Sequence, residues 1–134
     1  MRIARELYDE IVAHAHAEAP NECCGVVATN GDGSAQQVFA ARNKHASPLR
    51  FEIEGLDLLR INNEIDDADL EIGAIYHSHT RTPPEPSQTD INGAAQWPGA
   101  LWVIVGLAGD EPDVRTWAIE DGRVTQVELV VEET

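Results

Sequence analysis

Three short apolar runs constrain the fold of this chain more than any other feature. They are CCGVVAT at residues 23–29, EIGAIYHSH at residues 71–79 and ALWVIVGLA at residues 100–108. Each run is short, bounded by turn residues and rich in branched or aromatic side chains, which is typical of buried strands. Because EIGAIYHSH is mostly apolar along its length, we expect it to lie in the middle of a sheet.

Apolar residues at helical spacing predict two longer helices and one short helix. The first helix carries an apolar stripe at i, i+4 spacing from Ile3 to Ala15 and ends before Pro20. The second repeats this spacing with leucines and isoleucines, and Ser87 opens the third. The expected bounds are residues 3–18, 55–68 and 87–96.

Four further strands are predicted from alternation and turn residues, and they set the fold class. They are QQVFAAR, FEIE, VRTWAIE and RVTQVELVV, at residues 36–42, 51–54, 114–120 and 123–131. The turn NGDGS joins CCGVVAT to QQVFAAR, and a two-residue Asp-Gly turn joins the last two strands as a hairpin. Hairpins with helices between them indicate an α+β (mixed α/β) protein.

Length and charge limit the number of domains and the kinds of partner. A chain of 134 residues is expected to form one domain, residues 1–134. No apolar run approaches the ~20 residues of a membrane span and the N-terminus lacks a signal-peptide core, so we expect a cytoplasmic protein without membrane contact. With 9 basic against 24 acidic residues and a net charge of −15, nucleic acid is not an expected partner.

The cysteines and tryptophans are expected to be structural. Cys23 and Cys24 are adjacent, so on a strand they point to opposite faces and cannot easily form a disulfide. A free cysteine in such a run is usually a small buried hydrophobe. Trp97, Trp102 and Trp117 are likewise expected in the core rather than at a substrate surface.

The stretch IYHSHTRTPPEPSQTD, residues 75–90, carries the candidate chemistry. His77 and His79 lie two residues apart on a predicted strand, so both imidazoles project from one face and can converge on a metal ion. The alternative is a strand that simply ends in two polar side chains near the surface. The spacing of the two histidines by itself leaves both interpretations open.

Ser87 and Asp90 fit a helix start, and the same geometry suits a metal ligand. Ser-x-x-Asp is close to the capping-box pattern, and it holds the carboxylate in a fixed direction. Two histidines and one aspartate would leave a coordination position open, as in catalytic rather than structural zinc sites. Glu22 is the candidate general base for such a site, and a solvated loop carboxylate is the alternative.

The spacing His-x-His, seven residues, Ser, two residues, Asp resembles the signature of the JAMM metalloproteases, also called MPN+ domains. His77, His79, Ser87 and Asp90 match it in full. NECCGVV resembles the family's Glu-x-Cys-Gly segment, and NKHASPLRFEI resembles its Asn…Ser-Pro…Phe stretch. The resemblance runs from about residue 3 to about residue 131. It implies a cytidine deaminase-like fold with a curved, mostly antiparallel central sheet flanked by helices.

The resemblance also implies a role for each matching residue. His77, His79 and Asp90 are expected to bind one Zn²⁺ ion per chain. Glu22 is expected to be the base that activates water, and Ser87 the hydroxyl that hydrogen-bonds the oxyanion. The implied activity is that of a zinc metallopeptidase of the omega- or isopeptidase type.

One departure from the family pattern narrows the implied substrate. Thr80 stands where eukaryotic deubiquitinases of the family usually have proline, and their long insertions are missing. In both features the sequence resembles a small bacterial branch of the family, which includes actinobacterial hydrolases. Those enzymes release cysteine from the C-terminal Gly-Gly tail of a ubiquitin-like sulfur-carrier protein, which would serve cysteine biosynthesis.

We consider three alternatives to a hydrolase that releases cysteine from a sulfur-carrier protein. Within the enzyme class, the chain would be an isopeptidase that removes a ubiquitin-like modifier from conjugates. Outside it, the chain would be a non-catalytic scaffold of the same superfamily, although such scaffolds lose metal ligands that are present here. A barrel amidohydrolase with His-x-His needs about 250 residues, so the length excludes it. The oligomeric state, including a homodimer, stays open.

Overall fold

The computed structural model describes residues 1–133, so Thr134, the last residue of the predicted domain, lies outside the described residues. The elements in chain order are β1 (Arg2–Ala4), α1 (Arg5–Glu18), β2 (Cys24–Thr29), β3 (Ala35–Ala41), α2 (Gly55–Asp67), β4 (Glu71–His79), α3 (Gln88–Gly93), a 3-10 turn (Ala94–Gln96), β5 (Leu101–Gly106), β6 (Asp113–Glu120), β7 (Arg123–Val127) and β8 (Val130–Glu132). All three predicted helices and the three apolar strands are present.

A mixed six-stranded sheet forms the centre of residues 1–133, with strand order β3-β2-β4-β5-β6-β7. Strand β4 is antiparallel to β2 and parallel to β5, and the remaining pairs are antiparallel. The parallel pair follows from the connection, because α3 and the 3-10 turn carry the chain from the end of β4 back to the start of β5. The predicted α+β class and the mostly antiparallel sheet are therefore confirmed.

Both faces of β4 are buried, as the apolar run predicts. One face places Ile75 in a core that includes Ile61 and Ile65 of α2. The other face places Tyr76 in a second core that includes Ile11 of α1. The two longer helices thus flank the sheet on opposite sides. Among the described residues, no helix combines the length and apolar character needed to cross a bilayer.

Three predicted elements differ from the observed ones. The first helix starts at Arg5, not at residue 3, because residues 2–4 form β1 and pair in parallel with β8. The predicted strand RVTQVELVV is split into β7 and β8 for the same reason. The predicted strand FEIE makes only an isolated bridge between Asn43 and Ile53. The first two differences depend on the pairing of β1 with β8, which are distant in sequence, so local pattern does not reveal them.

The cysteines lie where the sequence places them, and the tryptophans pack on the core, although Trp97 and Trp102 also line a groove. Cys23 and Cys24 are free and buried, and they belong to the two different cores. Burial raises the pKa of each thiol to about 12, so both stay protonated near neutral pH. Trp102 is buried, and Trp97 and Trp117 pack against the same core while partly buried.

Candidate metal centre

The last residues of β4 place two imidazoles on one face of the sheet. His77 and His79 are 0% and 5% exposed, so the surface alternative for these histidines is wrong. The parallel register with β5 sets His79 opposite Gly106, and the His79 carbonyl accepts a hydrogen bond from the Leu107 amide at 3.0 Å. The strand end is therefore fixed by its neighbour even though the chain leaves the sheet there.

Asp90 meets both histidines at a single point. Its Oδ2 lies 3.1 Å from His77 Nε2 and 3.1 Å from His79 Nε2. The two Nε2 atoms are 3.2 Å apart. These three buried residues form a group whose possible ligand atoms all lie within 4.8 Å of one another. A buried triangle of two ring nitrogens and one carboxylate oxygen is a donor set typical of zinc sites.

The size of this triangle fits a zinc ion. Metal–ligand bonds of ~2.0–2.1 Å in a tetrahedron place neighbouring ligand atoms ~3.3–3.4 Å apart. The observed sides of 3.1 and 3.2 Å are close to that spacing. Three protein ligands would occupy three corners and leave the fourth open.

The hydrogen bonding of His79 is compatible with a metal ion at this point. Its Nδ1 lies 2.9 Å from the Pro83 carbonyl, which can only accept, so Nδ1 carries the proton. In the neutral ring the lone pair on Nε2 then points at Asp90 Oδ2. A lone pair facing a carboxylate is favourable only with a proton or a metal ion between them, and a carbonyl on Nδ1 is the usual support of a metal-binding imidazole.

The charges of the three residues are consistent with this arrangement. Burial lowers the pKa of His77, which favours the neutral, metal-binding form. For Asp90, burial opposes ionisation, but hydrogen bonds from His77 and His79 hold the pKa of the carboxyl well below its usual range. For His79, burial lowers the pKa, but Asp90 and the Pro83 carbonyl outweigh it and the net shift is upward. A carboxylate between two imidazoles thus stays ionised.

Ser87 and Asp90 form the capping box that the sequence predicts. The Ser87 hydroxyl oxygen accepts a hydrogen bond from the Asp90 amide at 3.1 Å. The Ser87 amide donates to Asp90 Oδ2 at 3.0 Å. Because the same Oδ2 faces the two histidines, the helix start aims the carboxylate at the site. Capping and metal binding are compatible in this geometry.

Glu22 lies before β2 with its carboxyl inside the protein rather than in solvent. The residue is 4% exposed, and Oε1 has no hydrogen-bond partner among residues 1–133. Burial raises the pKa of Glu22 to about 8, with His79 opposing the shift and Asp90 adding to it. The solvated-loop alternative is therefore wrong. Glu22 is outside the His77, His79, Asp90 group, but it is close enough for His79 and Asp90 to influence its pKa.

The structure adds residues that the sequence reasoning did not single out. Phe51 stacks on His77 with ring centroids 4.4 Å apart and an interplanar angle of 23°. A groove of about 640 Å³ opens beside the site, and its lining residues include Asp90 and Trp97. Much of the groove is formed by the 44–58 segment, including Phe51. The Asn…Ser-Pro…Phe stretch was the signal in this region, but its pattern did not indicate which side chains meet the histidines.

Comparison with known proteins defines the family to which the chain belongs. Residues 4–120 match the family described as prokaryotic homologs of the JAB domain. The chain belongs to this family, the prokaryotic JAB-domain branch of the JAMM metallopeptidases, and it retains the His-His-Asp cluster of a metal site.

Individual relatives share most of this chain. It is 33% identical over 126 residues to the CysO-cysteine peptidase of Mycobacterium tuberculosis, covering 92% of this chain and 86% of that protein. It is 32% identical over 112 residues to the desampylase of Pyrococcus furiosus, covering 83% and 76%. The solution structure of protein DSY2949 from Desulfitobacterium hafniense is similar with a TM-score of 0.88 and 26% identity, covering 100% of this chain and 94% of that one.

Proposed function

We propose that this protein is a zinc-dependent hydrolase of an amide bond at the C-terminal Gly-Gly tail of a ubiquitin-like protein. The convergence of His77 Nε2, His79 Nε2 and Asp90 Oδ2 on one buried point, 3.1–3.2 Å apart, carries the proposal. In it, these three residues bind one Zn²⁺ per chain, Glu22 is the general base and Ser87 is the oxyanion donor.

The roles of the protein groups follow from their surroundings. Zinc, when bound, supplies Lewis-acid chemistry that polarises a carbonyl and lowers the pKa of water to ~7. The Glu22 carboxyl is buried and its Oε1 has no hydrogen-bond partner among residues 1–133, so in its ionised form it can take a proton from water and return it to the leaving amine. Ser87 uses its oxygen to accept from the Asp90 amide, so its hydroxyl proton is free to donate to the negative charge that develops on the substrate carbonyl.

A protein substrate with an extended tail suits the surface beside the site. The groove of about 640 Å³ includes Asp90 in its lining, so a tail bound in it would lie beside the candidate ligands. Three exposed leucines, Leu49, Leu56 and Leu59, flank its lining residues in sequence, with exposures of 79%, 71% and 58%. Large exposed apolar side chains next to a cleft are typical of surfaces that contact another protein.

The proposed substrate is a sulfur-carrier protein that ends in Gly-Gly-Cys, from which the enzyme releases cysteine. The CysO-cysteine peptidases, at 33% identity, support this reading. The desampylases, at 32% identity, support the alternative, removal of a ubiquitin-like modifier from conjugates. Thr80 and the absence of long insertions favour the first reading. The cytoplasm is the proposed place of action, as expected from the sequence.

A direct competition separates the two substrates. Zinc-loaded protein is incubated with the carrier–Gly-Gly-Cys adduct and with a lysine-linked conjugate of the same carrier, and mass spectrometry follows both. We expect the adduct to lose one cysteine residue much faster than the conjugate is cut. A free Gly-Gly-Cys peptide is the control, and it should react far more slowly because it lacks the folded body whose binding contributes to the rate. Cleavage of the conjugate alone would replace the first reading with the alternative.

A further inference from the structure

The side chain of Asn43, in the segment between β3 and α2, uses all of its hydrogen-bonding capacity on backbone groups. Nδ2 donates to the Glu22 carbonyl at 3.1 Å and to the Arg50 carbonyl at 3.0 Å. Oδ1 accepts from the amides of His45 at 3.1 Å and Glu52 at 3.2 Å. A carboxamide has two N–H donors and an oxygen with two lone pairs, so each is satisfied. The side chain of Asn43 thus joins four backbone groups of this part of the fold.

The backbone of Glu22 is held by this segment rather than by the sheet. Its amide donates to the Ser47 carbonyl at 2.8 Å, and its carbonyl accepts from Asn43. Glu22 precedes β2, which begins at Cys24, so no strand ladder fixes it. Since Oε1 has no partner within residues 1–133, the direction of the carboxyl depends on how this backbone is held.

The same segment also contacts the metal site directly. Phe51 follows Arg50, whose carbonyl Asn43 binds, and its ring stacks on His77 at 4.4 Å. One hydrogen-bonded segment therefore touches a candidate ligand with Phe51 and holds the candidate base through Asn43. Displacement of the segment would change the placement of Glu22 relative to the histidines.

We propose that Asn43 is a positioning residue for Glu22: its amide locks the 43–52 segment to the Glu22 carbonyl and so sets where the carboxyl meets the substrate and water. The inference rests on the proposed function, in which Glu22 is the base. Asn43 itself touches no reacting atom. Its effect is transmitted through the Glu22 backbone.

The substitution Asn43→Asp tests this with minimal change in shape. It keeps an acceptor for the His45 and Glu52 amides but loses both donated bonds, including the one to Glu22. Asn63→Asp, on the exposed surface of α2, is the matched control for the added charge. In the zinc-loaded enzyme acting on the carrier–Gly-Gly-Cys adduct, we expect kcat to fall about 10- to 100-fold for Asn43→Asp with KM little changed, because small displacements of a catalytic group are costly.

A double-mutant cycle separates positioning from general stability. If Asn43 acts through Glu22, then Asn43→Asp should have no further effect on kcat in a Glu22→Ala background. An equal fold-loss in both backgrounds would overturn the proposal. An inactive wild-type enzyme, or full activity of Glu22→Ala, would instead contradict the proposed function. Because the cycle would then not test the role of Asn43, a second measurement that does not depend on activity is needed.

Amide hydrogen exchange supplies that measurement in the intact protein. We expect the Glu22 amide to exchange faster in Asn43→Asp than in the wild type, with the Val27 amide in the middle of β2 unchanged. Asn43→Ala removes all four bonds without adding charge, and it serves if the aspartate variant does not fold. Unchanged exchange at Glu22 in a folded variant would show that Asn43 does not hold this residue.

Discussion

At the residue scale, one carboxylate oxygen connects local structure with the candidate site. Asp90 Oδ2 faces two imidazole nitrogens at 3.1 Å and accepts the Ser87 amide at 3.0 Å. The capping box was predictable from Ser-x-x-Asp, and the shared face of His77 and His79 from strand periodicity. The burial of Glu22 was not predictable from its neighbours in sequence, because its backbone is held by Asn43 and Ser47, which lie more than 20 residues away.

Ser87→Ala should affect stability and turnover separately. Loss of the cap should cost about 1 kcal/mol in the free energy of unfolding. Loss of the proposed oxyanion donor should lower kcat by about 10²- to 10³-fold. Thermal melting and steady-state kinetics give the two effects, with Ser87→Thr as the variant that keeps a hydroxyl. A lower Tm with normal kcat would mean that Ser87 is a cap only.

Glu22 should make the stability of the zinc-free protein fall as pH rises. Its pKa is raised from 4.5 to about 8 in the folded state, so between these values the folded state keeps a proton that the unfolded state has lost. The contribution of Glu22 to the free energy of unfolding is therefore greatest below pH 4.5. It declines between pH 4.5 and about pH 8 and is lost above that pH.

Glu22→Gln is the matched variant for this pH effect, since it keeps the shape without the titration. Chemical denaturation of both zinc-free proteins from pH 5 to pH 8 measures the difference. We expect the variant to become progressively more stable than the wild type as pH rises. Parallel stability curves would contradict the burial of an ionisable carboxyl at this position.

At the element scale, the loop between β4 and α3 is fastened at several points. The Thr80 hydroxyl donates to the Pro20 carbonyl at 3.1 Å, and His79 Nδ1 donates to the Pro83 carbonyl at 2.9 Å. Trp117 Nε1 donates to the Pro84 carbonyl at 2.9 Å. Two of these contacts come from residues distant in sequence, Pro20 in the turn after α1 and Trp117 in β6. A Cβ on Gly106 would lie 2.8 Å from Pro84, so the loop packs directly on β5.

Trp117→Phe should weaken zinc binding without removing a ligand. The change keeps an aromatic ring but removes the hydrogen bond to Pro84, next to the carbonyl that orients His79. Mutation of a residue that hydrogen-bonds to a metal ligand typically lowers metal affinity by about 10- to 100-fold. Because Trp117 acts one step further out, we expect zinc affinity to fall by up to about 10-fold. Competition with a chelator measures it, and Trp97→Phe is the control. Unchanged zinc affinity in Trp117→Phe would contradict the claim that Trp117 helps to hold the loop that orients His79.

At the scale of the whole molecule, the sequence predicted the sheet centre and the metal cluster better than the sheet margins. The apolar composition of the runs that form β2, β4 and β5 is enough to predict them as strands, because strands covered on both faces must be apolar. The pairing of β1 with β8 joins residues near the two ends of the described chain, so no local pattern encodes it. The groove beside Asp90 likewise arises from segments that meet only in the fold.

The zinc content of three purified proteins tests the account most directly. Elemental analysis of protein prepared without chelators should give about one zinc per chain for the wild type, as three ligands with an open position predict. Glu22→Ala should retain that zinc but lose hydrolysis of the carrier adduct, whereas Asp90→Ala should lose the zinc. Retention of zinc by Asp90→Ala together with its loss from Glu22→Ala would contradict the assignment of ligand and base.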